Sequence, residues 1–252
     1  MFRLKILSLL LLSFTILFAK AGPIRMGDHL MSRGEYSKAL AEYRKAEAEN
    51  PNDPEVLWRI GSAMTRLALT IQGSSRHDSL EIATNYLNRA IVQNSGILMA
   101  HLEYARALGN LALFKPDWDD NRVARRVREE LVLVLNKEPS NSEALYLMGI
   151  WHKWVCPKPL LERKPSGLGA ACIDSSAYYL RQAEKQDKEN LEFQLELARV
   201  YIAMNNTGAA KEVLRGIIAV KNPPSIYEPT IENAKTILFG IENPEDSSGE
   251  PK

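Results

Sequence analysis

The sequence holds little of what most functional classes need. Its two cysteines, Cys156 and Cys172, are too few among 252 residues for a disulfide framework. The formal net charge is only +1, and no block of basic residues dominates, so the charge gives no footing for nucleic acid. No segment alternates apolar and polar residues with a strand's period over a useful length, which leaves an all-α reading. No Ser-His-Asp or Cys-His-Asn set can be picked out. Gly167-Leu168-Gly169 lacks both the Lys-Ser/Thr pair and the preceding strand of a phosphate loop. His152 and Cys156 lie four apart on one helical face, but they are two metal ligands where a site needs three or four. No enzyme and no cofactor is implied.

The one long apolar run lies at the start. Arg3 and Lys5 precede a stretch from Ile6 to Phe18 broken only by Ser8, Ser13 and Thr15. Ala19-Lys20-Ala21 then supplies the small-x-small pattern that signal peptidase accepts. This predicts a signal peptide over residues 1–21, cleaved after Ala21, and a periplasmic or secreted mature chain. The run falls short of the roughly 20 residues of a comfortable transmembrane helix. The alternative is an uncleaved N-terminal anchor, the only case in which membrane contact is expected. Loss of Arg3, Lys5 and Lys20 takes the formal charge from +1 to −2.

What fills the rest is a repeat. Gly27, Leu30, Gly34, Tyr36, Ala39, Tyr43, Ala46 and Pro51 match the 34-residue tetratricopeptide (TPR) pattern in order and spacing. Small residues sit where two antiparallel helices approach closely, large ones fill the space beside them, and Pro51 ends the second helix. The unit recurs with Leu57, Ile60-Gly61 and Met64, whose partner helix carries Ala83, Leu87 and Ala90 after the polar stretch Gln72 to Asp78. A third repeat opens at Tyr104-Ala105 and Leu108, and its second helix, Val123 to Leu135, follows an insertion holding Lys115-Pro116-Asp117-Trp118. A fourth opens at Met148-Gly149 and His152, with a longer insertion from Cys156 to Asp174 before the helix Ser175 to Lys185. Leu197-Ala198, Tyr201, Ala210, Leu214 and Ile217 form a fifth, and an amphipathic helix over Pro229 to Phe239 is expected to cap the end. The fold expected is therefore a TPR-type α-solenoid of about five helix-turn-helix repeats over residues 22–242, with a disordered tail over 243–252.

Within that pattern the chain resembles the regulator of microtubule dynamics family. The resemblance rests on Trp58-Arg59-Ile60 with Arg66-Leu67-Ala68, on Ala83-x2-Tyr86-Leu87-x-Arg89-Ala90, and on Leu147-Met148-Gly149-Ile150-Trp151. It continues through Glu162-Arg163-Lys164 to Tyr178-Tyr179-Leu180-x2-Ala183-Glu184. The resemblance implies a helical repeat fold and a scaffolding role. Microtubule association, known for the eukaryotic members, is not carried over, because an exported, bacterial-type relative would not meet cytosolic tubulin.

In a TPR array the first helices of successive repeats line the concave face. Helical spacing puts Trp58, Ser62, Arg66, Leu102, Arg106, Tyr146, Ile150, Lys153, Leu195 and Arg199 on the solvent side of those helices. Apolar anchors mixed with cations suit an extended or helical peptide bearing acidic groups or a free carboxylate. Cys156 and Cys172 flank the fourth insertion. An oxidising compartment would let them close a loop of about 15 residues, worth about 3 kcal/mol in the chain-entropy model; otherwise Cys156 is buried in the repeat core. Trp151 and Trp154, three apart, are expected on one side of their helix, packed on the insertion or lining a pocket under it. The function expected is an exported, non-catalytic scaffold for a protein or peptide partner. The alternatives are a small-ligand or lipid carrier with a pocket beneath residues 156–174, and a subunit that positions another chain's active site.

Overall fold

A computed structural model describes residues 22–113 and 121–243. The expected signal peptide, the Lys115 to Trp118 insertion and the tail beyond Asn243 lie outside the described residues. The described residues form helices without a strand among them. They gather into two compact units, one within Met1–Trp118 and one within Asp119–Lys252.

The first unit runs α1 (residues 22–32), α2 (Tyr36–Glu49), α3 (Pro54–Ala68), α4 (Ser74–Gln93) and α5 (Leu98–Leu113). α1 and α2 are held together because Gly27 leaves room for the Tyr43 ring: a Cβ there would come within 2.3 Å of it. Gly34 turns the chain between them at φ 74°, a conformation that side chains disfavour. Asn50 is extended ahead of Pro51, as proline requires, so α2 stops at Glu49. α3 then starts with Pro54 in its first turn and the Asp53 carboxylate accepting from the Glu55 N–H. α3 packs on α2 and α4, and α5 packs on both α4 and α3. The polar stretch expected as a loop before α4 is helical from Ser74 onward. Arg76 secures this extension by donating to the Ile71 carbonyl at 2.7 Å.

The second unit runs α6 (Asn121–Lys137), α7 (Ser142–Val155), α8 (Leu160–Arg163), α9 (Ile173–Gln186), α10 (Leu191–Ala203), α11 (Thr207–Ile218) and α12 (Glu228–Glu242). Each of α7, α10 and α11 begins with an asparagine whose side chain accepts a first-turn N–H: Asn141, Asn190 and Asn206. α7 packs on α6 and α9, α9 on α10, and α10 on α11. Gly149 and Gly61 serve one purpose in the two units. Each lets a leucine of the partner helix, Leu180 or Leu87, approach the backbone more closely than a Cβ would allow. The capping helix is present as α12, which lies on α11 and α10 and covers Leu191, Leu195, Leu214 and Ile217.

Candidate functional site

The first helices of adjacent repeats bring charge to one point in each unit. In the first unit, Glu103 of α5 holds Oε1 3.4 Å from Nε of Arg106 on its own helix and 3.7 Å from Arg66 of α3. Burial alone would push the Glu103 carboxyl up. The Arg106 and Arg66 guanidiniums and the Ser62 hydroxyl outweigh that and hold it below the usual carboxylate range. In the second unit, Glu196 of α10 takes the Lys153 ammonium of α7 at 2.8 Å and Arg199 of its own helix at 2.5 Å. Both glutamates stand three residues before their arginine, in the same Glu-x-Ala-Arg tetrad, at 103–106 and 196–199. Each cluster sets two cations around one carboxylate, and in the second, Lys153 and Arg199 around Glu196 leave one net positive charge.

Arg66, Arg106, Lys153 and Arg199, all expected to meet a partner, thus converge on two glutamates that the sequence reading missed. The signal that could have found them was the repeated tetrad, since three residues bring Glu and Arg onto one helical side. The other expectations fare unevenly. Leu102 is 1% exposed and Arg106 6%, and Ser62 and Leu195 are buried as well; these are corrections to a solvent-facing assignment. The reason is that α5 lies against both α3 and α4, and α10 against α9, α11 and α12, so little of either helix is left open. Tyr146 is no free anchor either: its ring stacks on Phe193 with centroids 4.7 Å apart. Trp58 is half-buried, donates its ring N–H to Glu55 at 2.9 Å, and has the Arg59 guanidinium over its ring at 4.2 Å. Ile150 is half-buried on α7.

The fourth insertion is organised from within. Arg163 is buried, and its guanidinium donates to the carbonyls of Lys158, Leu168 and Gly169 at 2.9–3.0 Å. Leu168 and Ala171 fill the rest of the insertion's interior, and Gly167 turns the chain at φ 76°. His152 ties the insertion's end to α7: its Nδ1 accepts the Cys172 N–H at 3.3 Å, and its ring stacks on Tyr179. The two tryptophans separate. Trp151 is buried and donates to the Ala124 carbonyl of α6 at 2.7 Å, whereas Trp154 is exposed. Cys156 and Cys172 are both free thiols. The Cys172 Sγ sits at the start of α9, accepting the Ser175 N–H and donating to the Ser175 hydroxyl.

The model of the family described as regulator of microtubule dynamics protein 1–3 matches residues 24–238. The chain belongs to the regulator of microtubule dynamics family. It is 26% identical over 197 residues to regulator of microtubule dynamics protein 1 of Pongo abelii, and 26% identical over 198 residues to that of Bos taurus. Each match covers 73% of this chain, and the chain spans only 60% of the length of either relative. Among solved structures, a thermophilic TPR protein of Thermus thermophilus shares the fold, with a TM-score of 0.64 at 17% identity over 88% of this chain and 98% of that one. The all-α, TPR-type solenoid expected from the repeat pattern is therefore the fold of this family member. The Glu162-Arg163-Lys164 segment, the more distinctive part of the resemblance, has a structural task here through the Arg163 guanidinium.

Proposed function

We propose that this family member is an exported, non-catalytic scaffold that holds a protein or peptide partner with acidic groups on the faces built by its first helices. The observation that carries this reading is the cluster of the second unit, Lys153–Glu196–Arg199, where two partly exposed cations share one carboxylate. Glu196 holds the two long cationic side chains in place, which lowers the entropy lost when a partner carboxylate pairs with them. The surplus positive charge favours an acidic group over a basic one. TPR architecture supports interaction rather than catalysis, and so does membership of a family named for regulation. The carrier alternative draws no support from the fourth insertion, whose interior is filled by Leu168, Ala171 and the Arg163 guanidinium.

The N-terminal pattern supports export, with a mature chain beginning at Gly22 in the periplasm or outside the cell. In that setting the microtubule link in the relatives' name does not apply. Two measurements test the proposal. The intact mass of the native protein is expected to correspond to a chain starting at Gly22; retention of residues 1–21 would replace export by anchoring. Affinity capture from the native source, with Arg66→Glu, Lys153→Glu and Arg199→Glu beside the unaltered protein, is expected to lose partners in the variants. Capture that stays the same in all three would remove these faces from the function.

A further inference from the structure

A second surface of the second unit has a different chemistry. Between the end of α6, the α6–α7 turn and the outer side of α9 lies a cleft of about 280 Å³. Leu135 and Pro139 form one wall, and Tyr178, Tyr179, Gln182 and Gln186 form the other. That volume is at the lower edge of small-ligand sites, so it has room for one or two side chains rather than a cofactor. None of the eight lining residues carries a charge, in a chain of which a quarter is charged. A charged occupant would lose its hydration there with nothing to pair with.

The aromatic wall is braced from behind. Tyr179 stacks on His152 with centroids 5.4 Å apart, and Tyr178 meets Tyr179 edge to face at 5.3 Å. Tyr178 is 52% exposed, so a broad ring surface faces the opening. Tyr178, Gln182 and Gln186 follow one another at four-residue steps along α9, which places a hydroxyl and two carboxamides on one helical side. Eight residues of helix rise about 12 Å, the length of about four residues of polyproline helix at about 3.1 Å each. Neither carboxamide makes a hydrogen bond to another group among the described residues, so both are available as donors.

We propose that this cleft docks a proline-rich segment in the polyproline conformation, with a proline ring on Tyr178 and backbone carbonyls accepting from Gln182 and Gln186. The match is chemical. Such a segment carries no charge and has few N–H groups of its own. Its carbonyls are left unpaired by its own helix, and it is ordered before it binds. Aromatic rings beside amide donors, with an apolar opposite wall, meet each of those properties. The inference stands apart from the proposed function, since none of the lining residues belongs to the two cation clusters.

Titration calorimetry of the full mature chain with a decaproline peptide tests it, beside a Gly-Ser decapeptide and a decaglutamate. Decaproline is expected to bind with a dissociation constant on the order of 100 µM, as is usual for an isolated weak motif, and the other two are not expected to bind at this site. Tyr178→Ala and Gln182→Leu are each expected to weaken decaproline about tenfold. Tyr178 is half in solvent, so its variant keeps the fold, which the far-ultraviolet spectrum and thermal midpoint verify; Gln182→Leu gives a second reading that leaves the ring wall intact. Absence of decaproline binding, equal binding of the Gly-Ser peptide, or affinity unchanged in both variants overturns the proposal. Decaglutamate competing with decaproline for the same site overturns it as well.

Discussion

A buried histidine that accepts a hydrogen bond must stay neutral. His152 is in that position: its Nδ1 receives the Cys172 N–H, and burial, then the nearby Arg128 guanidinium, bring its pKa down to about 4 from an ordinary 6.5. Between those values the unfolded chain takes up a proton that the folded chain refuses. The stability linked to His152 is therefore complete above about pH 6.5 and is lost as the pH falls toward 4. The amount lost by pH 4.5 is about 2 kcal/mol. Urea unfolding at pH 7 and pH 4.5 checks this. His152→Gln keeps an acceptor but cannot titrate, so its stability should fall by about 2 kcal/mol less than that of the unaltered chain; an identical fall would exclude the linkage. Two glycines make a second test at this scale, with opposite signs. A Cβ on Gly149 would lie 2.6 Å from Leu180 and 3.2 Å from the Ser176 carbonyl, whereas one on Gly216 of α11 meets nothing within 4 Å. Gly149→Ala is expected to cost about 1–3 kcal/mol through overpacking. Gly216→Ala should gain about 0.5–1 kcal/mol from helix propensity. Thermal midpoints moving in the same direction would contradict the close-approach argument.

The fourth insertion depends on a charge that its sequence gives no reason to bury. Arg163 stands between two further charged residues, Glu162 and Lys164, yet its guanidinium serves three loop carbonyls. Arg163→Lys keeps the charge but replaces a planar fork with one ammonium. Hydrogen exchange is expected to accelerate across residues 156–172 in that variant while α10 and α11 keep their protection; unaltered exchange in the insertion would deny Arg163 its organising place. This element also shows why part of the molecule is legible in the sequence and part is not. Helix pairing can be read because Gly27, Gly61 and Gly149 leave a spacing signature wherever two helices approach. Pro51 and Pro139 mark their boundaries for equally local reasons. Loop carbonyls have no such signature, so neither the Arg163 contacts nor the Cys172–Ser175 pairing shows. Periodicity also states which side of a helix is polar, not how many neighbours enclose it. It therefore puts Arg106 and Leu102 in solvent although α5 is covered from two directions. The polar run before α4 misleads in the other direction, since Ser74 to Asp78 continue a helix whose polar side needs no partner.

Across the whole chain, one arrangement is used twice under different conditions. Glu103 is 4% exposed at its side chain, with Arg106 at 6% and Arg66 at 27%, whereas Glu196 is 13% exposed and its partners Lys153 and Arg199 are 21% and 36% exposed. A carboxylate removed from the first cluster takes away the Glu103 partner of the buried Arg106, with little water there to replace it. In the second cluster, solvent reaches the freed cations. Glu103→Gln is thus expected to cost about 3 kcal/mol, in the range for breaking a buried pair. Glu196→Gln should cost at most about 1 kcal/mol, as partly screened ion pairs do. Salt separates them further: raising ionic strength to about 1 M shortens screening to about 3 Å, which should erase the penalty at Glu196 and leave most of that at Glu103. Urea denaturation of both variants at low and high salt measures all four values. Equal penalties with equal salt dependence would mean that burial does not distinguish the clusters. The expected pattern instead gives them separate tasks, with Glu103 keeping the first unit folded and Glu196 holding Lys153 and Arg199 where a partner's carboxylate can replace it.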